Sequence, residues 1–139
     1  MIMALDVGSK RIGVAIAQPG SQLAIPLATI ERGTRRDDLA QIRRYLESYA
    51  VDELVIGDPL TLAGERGLAA RAMDSFVEEV RRIFDGAIHR VDERMTTAQA
   101  TKTLIAADVS RRKRREIVDR MAAALILETF LARRRNDTR

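Results

Sequence analysis

Apolar side chains open the chain in two short runs, Ile2 to Val7 and Ile12 to Ala17, separated by the turn-forming Gly8-Ser9-Lys10-Arg11. Runs this short, bounded by turn residues, predict buried strands, and the pair predicts a hairpin. One polar residue, Asp6, interrupts the first run. Pro19 and Gly20 then break the pattern, and Leu23 to Ile30 predicts a third strand. Pro26 restricts that strand to an edge or a bulge, because proline has no N–H to give to a ladder.

After Thr34, a predicted N-cap, the period changes. Leu39, Ile42 and Leu46 recur at helical spacing. Asp52 to Gly57 predicts a strand closed by Asp58-Pro59, and Thr61 to Gly67, with two glycines, predicts a loop. Ala69, Ala72, Met73, Phe76, Val80 and Ile83 mark one face of a second helix, and Ala87 to Val91 predicts another strand. Thr96 and Gln99 form a capping box for a third helix reaching about Ala107. A fourth is expected from about Arg114 to Ala132, with residues 133–139 a basic, flexible tail. Three strands followed by alternating helix and strand predict an α/β fold with a mixed sheet.

Composition narrows the chemistry. At 139 residues, 46% hydrophobic and 32% charged, the chain fits one globular domain. It has no run apolar enough to span a bilayer and no secretory signal, so a cytoplasmic protein away from membranes is expected. There is no cysteine and a single histidine, His89. Disulfides, thiolate nucleophiles, Cys-ligated zinc and multi-histidine metal sites are thereby excluded. His89, lying on a predicted strand, reads as a packed or surface residue rather than a general base. Tyr45 and Tyr49, four apart on a helix, should pack together.

The charge is uneven. Residues 111–139 carry 10 Lys and Arg against 4 Asp and Glu, whereas the other 110 residues carry 14 against 16. A basic C-terminal quarter on a nearly neutral body predicts a polyanionic partner, nucleic acid before membrane. The run Arg111-Arg112-Lys113-Arg114-Arg115 is placed at the wrong end of the helix that follows it, where the backbone dipole disfavours cations. It is therefore expected to be a mobile loop that orders on a phosphate backbone. Lys10 and Arg11, in the first turn, are further candidates for phosphate contact.

Three carboxylates invite attention. Asp6 sits inside an apolar strand, where it must meet a cation or the amides of Gly8 and Ser9 in an Asx turn. Glu93 follows the strand AIHRV, a position equally suited to a helix cap or a solvated loop. Asp119 has Ala122, Ala123, Ile126 and Phe130 at helical spacing on its own face, so it should look toward the sheet. A salt bridge to Arg115 or Arg120 is the plainer reading of Asp119. If the three converge, an oxygen-only cluster suits Mg²⁺ or Mn²⁺, the ions of hydrolytic phosphoryl chemistry that needs neither histidine nor cysteine.

The segments DVGSKRIGVAIA, VIGDPL, VDERMTT and SRRKRREIVDRMAAALIL resemble, in order and spacing, the YqgF/RuvX family, over residues 1 to about 132. Its members are described as Holliday junction resolvases and as nucleases maturing the small-subunit ribosomal RNA precursor (pre-16S rRNA). The resemblance implies an RNase H-like fold, a five-stranded mixed sheet flanked by helices, and an acidic triad at Asp6, Glu93 and Asp119. The chain departs from the family at Asp58, where an apolar residue is usual, and at Thr61-Leu62-Ala63-Gly64, which lacks the usual Asn and Asp. Asp58 reads either as an exposed loop acid before Pro59, the plainer reading, or as an outer-shell group of the metal site.

Two rival readings remain at this level. An actin-like or sugar-kinase-like ATPase opens with a similar Asp-x-Gly hairpin but needs a second domain to clamp its nucleotide. A non-catalytic nucleic-acid-binding module lacks support in a chain with 4% aromatic residues. The expectation is a divalent-metal-dependent nuclease acting on structured nucleic acid, as a monomer or weak homodimer. RNA processing is favoured over junction resolution, which needs two active sites related by a two-fold axis.

Overall fold

The computed structural model describes residues 1–58, 67–92 and 111–137, without the side chains of 68, 69 and 111–116. Strands β1 (Ile2–Val7) and β2 (Arg11–Ala17) form the expected antiparallel hairpin, with Asp6 directly opposite Gly13. Its turn closes through the Gly8 amide, which donates to the Arg11 carbonyl at 2.8 Å. β3 (Ile25–Glu31) adds antiparallel to β2, starting two residues later than the apolar pattern suggests. Both options left for Pro26 are realised: β3 is an edge strand, and the register shifts where Ala15 meets Pro26. β4 (Glu53–Asp58) and β5 (Ala87–Asp92) extend the sheet in parallel on the other side of β1, giving the order β3-β2-β1-β4-β5.

Helix α1 (Arg35–Ser48) starts at Thr34, whose hydroxyl accepts from the Asp37 amide at 3.1 Å. α2 (Leu68–Arg81) follows β4, and α3 (Arg111–Asp137) ends the described chain. The third predicted helix, near residues 96–107, lies outside the described residues. Side-chain alternation divides the core between two faces. Met3, Leu5, Val14, Leu54 and Ile56 meet Ile42 and Leu46 of α1 and Phe76 and Val80 of α2. On the opposite face Ile2, Ala4, Ala17, Val55 and Val91 meet Ala122, Ile126, Leu127 and Leu131 of α3. Ala72, expected on the buried stripe of α2, is instead exposed. Tyr45 and Tyr49 stack as expected, with ring centroids 6.5 Å apart.

Two expectations about α3 need correction. The basic run at 111–115 is helical rather than a loop, and residues 133–137 are the last turns of the same helix rather than a tail. The far end of α3 is pinned where β4 and β5 begin. Arg134 straddles both carboxylate oxygens of Glu53, at 3.1 Å through Nη1, and His89 Nε2 lies 2.9 Å from Glu53. The His89 ring also packs on Phe130, at 4.8 Å, the packed role expected of it.

The Arg134 hydrogen bonds hold the Glu53 carboxyl below its ordinary 4.5 against the opposing effect of burial, with help from His89. A lowered acid pKa stabilises the fold above the unfolded value and is lost as pH falls through the folded one. The melting temperature of the wild type should therefore exceed that of Glu53→Gln at neutral pH. The gap should narrow only below about pH 4.5. A gap independent of pH in acid would show that the Glu53 charge contributes nothing.

Candidate active site

The C-terminal ends of β1, β3, β4 and β5 share one edge of the sheet, and all three described helices start there. For α3 the direction is fixed by its contacts: Asp119 meets Arg11 at the start of β2, whereas Arg134 meets Glu53 at the start of β4. Ligand sites of open α/β sheets lie at this edge, where helix N-termini add partial positive charge.

Gly13 brings the acids together. A Cβ built on it would lie 1.9 Å from the Asp119 carbonyl oxygen and 2.9 Å from the Arg120 nitrogen. The backbone of α3 thus rests directly on the backbone of β2 at this point, closer than any side chain permits. Asp6 is the cross-strand partner of Gly13 and shares its face, because Ile2 and Ala4, four and two residues earlier, pack under α3. The α3 side is lined with small residues, among them Ala15, Ala123 and Ala124, which lets the helix come this near. Asp6 is 3% exposed.

Asp119 is held by a residue 108 positions away in sequence. Arg11 Nε donates to Asp119 Oδ2 at 2.9 Å, and both side chains are about five-sixths buried. Arg11, a candidate for phosphate contact, fixes through Nε one oxygen of an expected triad carboxylate. Lys10 is exposed in the turn. Glu93 lies outside the described residues, as do the side chains of Arg111, Arg112, Lys113, Arg114 and Arg115. Among the described residues, no group of three or more acids or histidines could hold a metal ion. The structure therefore brings two members of the expected triad to one glycine and leaves the third undescribed.

Asp58 reaches the same edge on the opposite face. It alternates with Leu54 and Ile56, which pack under α1 and α2. Arg90 donates to it through Nη2 at 3.0 Å and to Asp74 of α2 through Nη1 at 2.6 Å. This arginine ties β4, β5 and α2 together, and the outer-shell reading gives way to a structural one. Alternation from Asp6 would have separated Asp58 from it, had the two helical faces been known.

A further network fixes the hairpin turn. Asp38, 1% exposed, accepts from Arg32 Nε at 3.2 Å and from the Gly33 amide at 2.9 Å. Arg32 Nη1 then donates to the Gly8 carbonyl at 2.7 Å. The only sequence signal for it was an acid in the first turn of a helix, which reads equally as a dipole partner.

With this geometry in hand, the comparisons decide the family. The model of the family described as RuvX, Holliday junction resolvase, matches residues 1–133. The chain belongs to the RuvX family. Relatives named "Putative pre-16S rRNA nuclease" include one from Roseiflexus sp. (strain RS-1), 42% identical over 130 residues, covering 94% of this chain and 92% of that protein. Another, from Desulforudis audaxviator (strain MP104C), is 38% identical over 135 residues, covering 97% and 96%. Among solved structures, T. thermophilus RuvC in complex with a Holliday junction substrate superposes with a TM-score of 0.61 at 11% identity, covering 96% of this chain and 94% of that one. At that identity the likeness is one of fold, and it bears out the RNase H-like, five-stranded mixed sheet. The sequence-level assignment to the RuvX family is likewise borne out.

Proposed function

We propose that this RuvX-family chain is a divalent-metal-dependent nuclease that hydrolyses phosphodiester bonds in structured nucleic acid, with pre-16S rRNA as its substrate. The observation that carries this reading is the meeting of Asp6 and Asp119 at Gly13, on the sheet edge where the helices begin. The names of the relatives that span nearly the whole chain support the substrate. The donor set fits Mg²⁺ or Mn²⁺, being carboxylate oxygen throughout with no histidine or cysteine near it. Asp6 and Asp119 would hold the ion, with Glu93 as the third ligand. Such an ion, when bound, activates water and neutralises charge on the phosphoryl group.

The protein's own residues do the rest. Arg11 keeps the Asp119 carboxylate in one orientation, which spares the entropy of ordering it at binding. Outer-shell partners of this kind typically contribute 10–100-fold in metal affinity or activity. Arg11→Met should therefore raise the Mn²⁺ concentration for half-maximal cleavage by about tenfold or more. An unchanged metal titration would reduce Arg11 to a structural role.

The basic run begins eight residues before Asp119, about 12 Å along the helix at 1.5 Å per residue. It thus approaches the edge from the α3 side, where a phosphate backbone bound for the acids would pass. Neutralising Arg111, Arg112 and Lys113 together should weaken binding across sequences. It should also flatten the slope of log affinity against log salt by about 0.7–0.9 per lost contact. If affinity and slope both stay at wild-type values, the run does not touch nucleic acid.

The function itself is tested by presenting a 16S precursor transcript and a four-way DNA junction in parallel, each with Mg²⁺ and with EDTA. Cleavage of the transcript alone, abolished by EDTA, is the expected result. Cleavage of the junction in preference would make this chain a resolvase, the activity in its family's description. Binding without cleavage in any divalent metal would leave a non-catalytic module.

A further inference from the structure

The sheet edge has a second feature, on the face away from Asp119. A cavity of about 540 Å³ opens between the hairpin turn at Gly8 and Ser9, the arginines Arg32 and Arg35, and Ala72 and Phe76 of α2. Clefts that hold small ligands run from about 300 to 1,000 Å³, so a mononucleotide unit falls within its capacity. We propose that this cavity binds a nucleotide flanking the one being cut, its phosphate on Arg32 and Arg35 and its nucleoside against the apolar wall of α2. The proposal rests on the nuclease reading above and specifies how the substrate strand is held.

Three observations carry it. First, the two guanidinium groups converge: Arg32 and Arg35 lie 5.9 and 5.3 Å from the centroid of the same Phe76 ring. Each has a carboxylate partner, Asp38 and Glu79 respectively, but neither carboxylate lines the cavity. A planar guanidinium with nitrogens to spare is the side chain best matched to phosphate oxygens. Arg35 commits Nη1 to Glu79 at 3.2 Å in a pair about one-third exposed, a bond weak enough to exchange for a phosphate.

Second, Arg32 is already immobilised. Asp38 takes its Nε, the Gly8 carbonyl takes Nη1, and among the described residues Nη2 has no hydrogen-bond partner. A donor ordered before the ligand arrives loses little side-chain entropy on binding.

Third, the cavity and the acid pair are joined by one short turn. Gly8 and Ser9 line the cavity, and Asp6 lies two residues before Gly8 on the strand that enters the turn. A strand crossing the edge over this turn would place one phosphate at Asp6 and Asp119 and a neighbouring one at Arg32 and Arg35.

The test is an NMR titration of the full chain with uridine 5′-monophosphate in EDTA, following the backbone amides of Gly8, Ser9 and Gly33. Saturable shifts at these amides are expected, with binding at least tenfold weaker in Arg35→Ala. A second variant, Ala72→Glu, places a negative charge on an exposed rim position without disturbing either ion pair, and should weaken binding similarly. Amides far from the cavity should keep their positions in both variants, which separates loss of the site from loss of the fold. Absence of saturable shifts in the wild type, or shifts unchanged in both variants, overturns the proposal. No bond is broken in this measurement, so it reads the cavity independently of cleavage. A protein that binds the nucleotide but cuts neither the transcript nor the junction would sink the nuclease reading alone.

Discussion

Replacing Gly13 by alanine is expected to destabilise the protein by about 3 kcal/mol, at the upper end of the range for overpacking a core. The added methyl would sit 1.9 Å from a backbone oxygen of α3, and no side-chain rotation can relieve a clash with backbone. To regain ordinary contact the helix must move out by about 1.5 Å, and its alanine-rich face would lift off β2 with it. A melting temperature lower by roughly 10 °C is the corresponding shift for a domain of this size. Cleavage should fall further than stability explains, because Asp119 moves with the helix while Asp6 stays in the sheet. A misplacement of about 1 Å at a catalytic constellation typically costs on the order of a hundredfold. The check is cleavage measured well below the variant's melting temperature, where the fraction folded is the same as in the wild type. A Gly13→Ala protein with full activity and an unchanged melting curve would mean that α3 does not rest on this glycine.

Gly13 also shows where sequence reasoning stops. An isolated glycine inside a strand signals a bulge or a close backbone approach, and that signal is present in RIGVAIA. What approaches is not written locally, since Asp119 lies more than a hundred residues on. The strands, the order of elements, Pro26 at an edge and the Thr34 cap were legible because period, turn residues and caps are local properties. Arg11 was legible as a cation near Asp6 but not as the partner of Asp119, which only the packing of α3 decides.

The start and end of α3 illustrate competing local effects. Five adjacent cations at a helix N-terminus argued for a loop, at a few tenths of a kcal/mol each. Arginine and lysine are nonetheless good helix formers, and the helix is propagated from the buried stretch Ala122 to Leu131. The sum of small dipole penalties does not overcome that. At the other end, Arg134 and Arg135 sit in the last turn, where the dipole favours cations, and the Glu53 bond fixes the position. Asp58 failed for a different reason. Its edge was read correctly, but its face depends on which helices cover which side.

The second large effect is expected at the carboxylates. Asp6→Asn keeps the shape and hydrogen-bonding capacity of the side chain while removing the charge that a divalent ion requires. Cleavage should drop by at least about a thousandfold, the scale on which loss of charge stabilisation at a reacting phosphoryl group is felt. Nucleic-acid affinity should be largely retained, since most of it comes from cations contacting the backbone. Asp119→Asn should lose activity similarly and also melt lower than the wild type, because Arg11 is left with a weaker partner in a site only about one-sixth exposed. Metal binding gives a readout that does not depend on cleavage. An ion that binds only the folded state stabilises it by about 2.7 kcal/mol at a hundred times its dissociation constant. Mn²⁺ should therefore raise the melting temperature of the wild type and leave that of either variant nearly unchanged. With Glu93 as the third ligand, Glu93→Gln should abolish the Mn²⁺ shift as well. A variant at Glu93 that keeps both the shift and the cleavage would leave the ion to Asp6 and Asp119 alone.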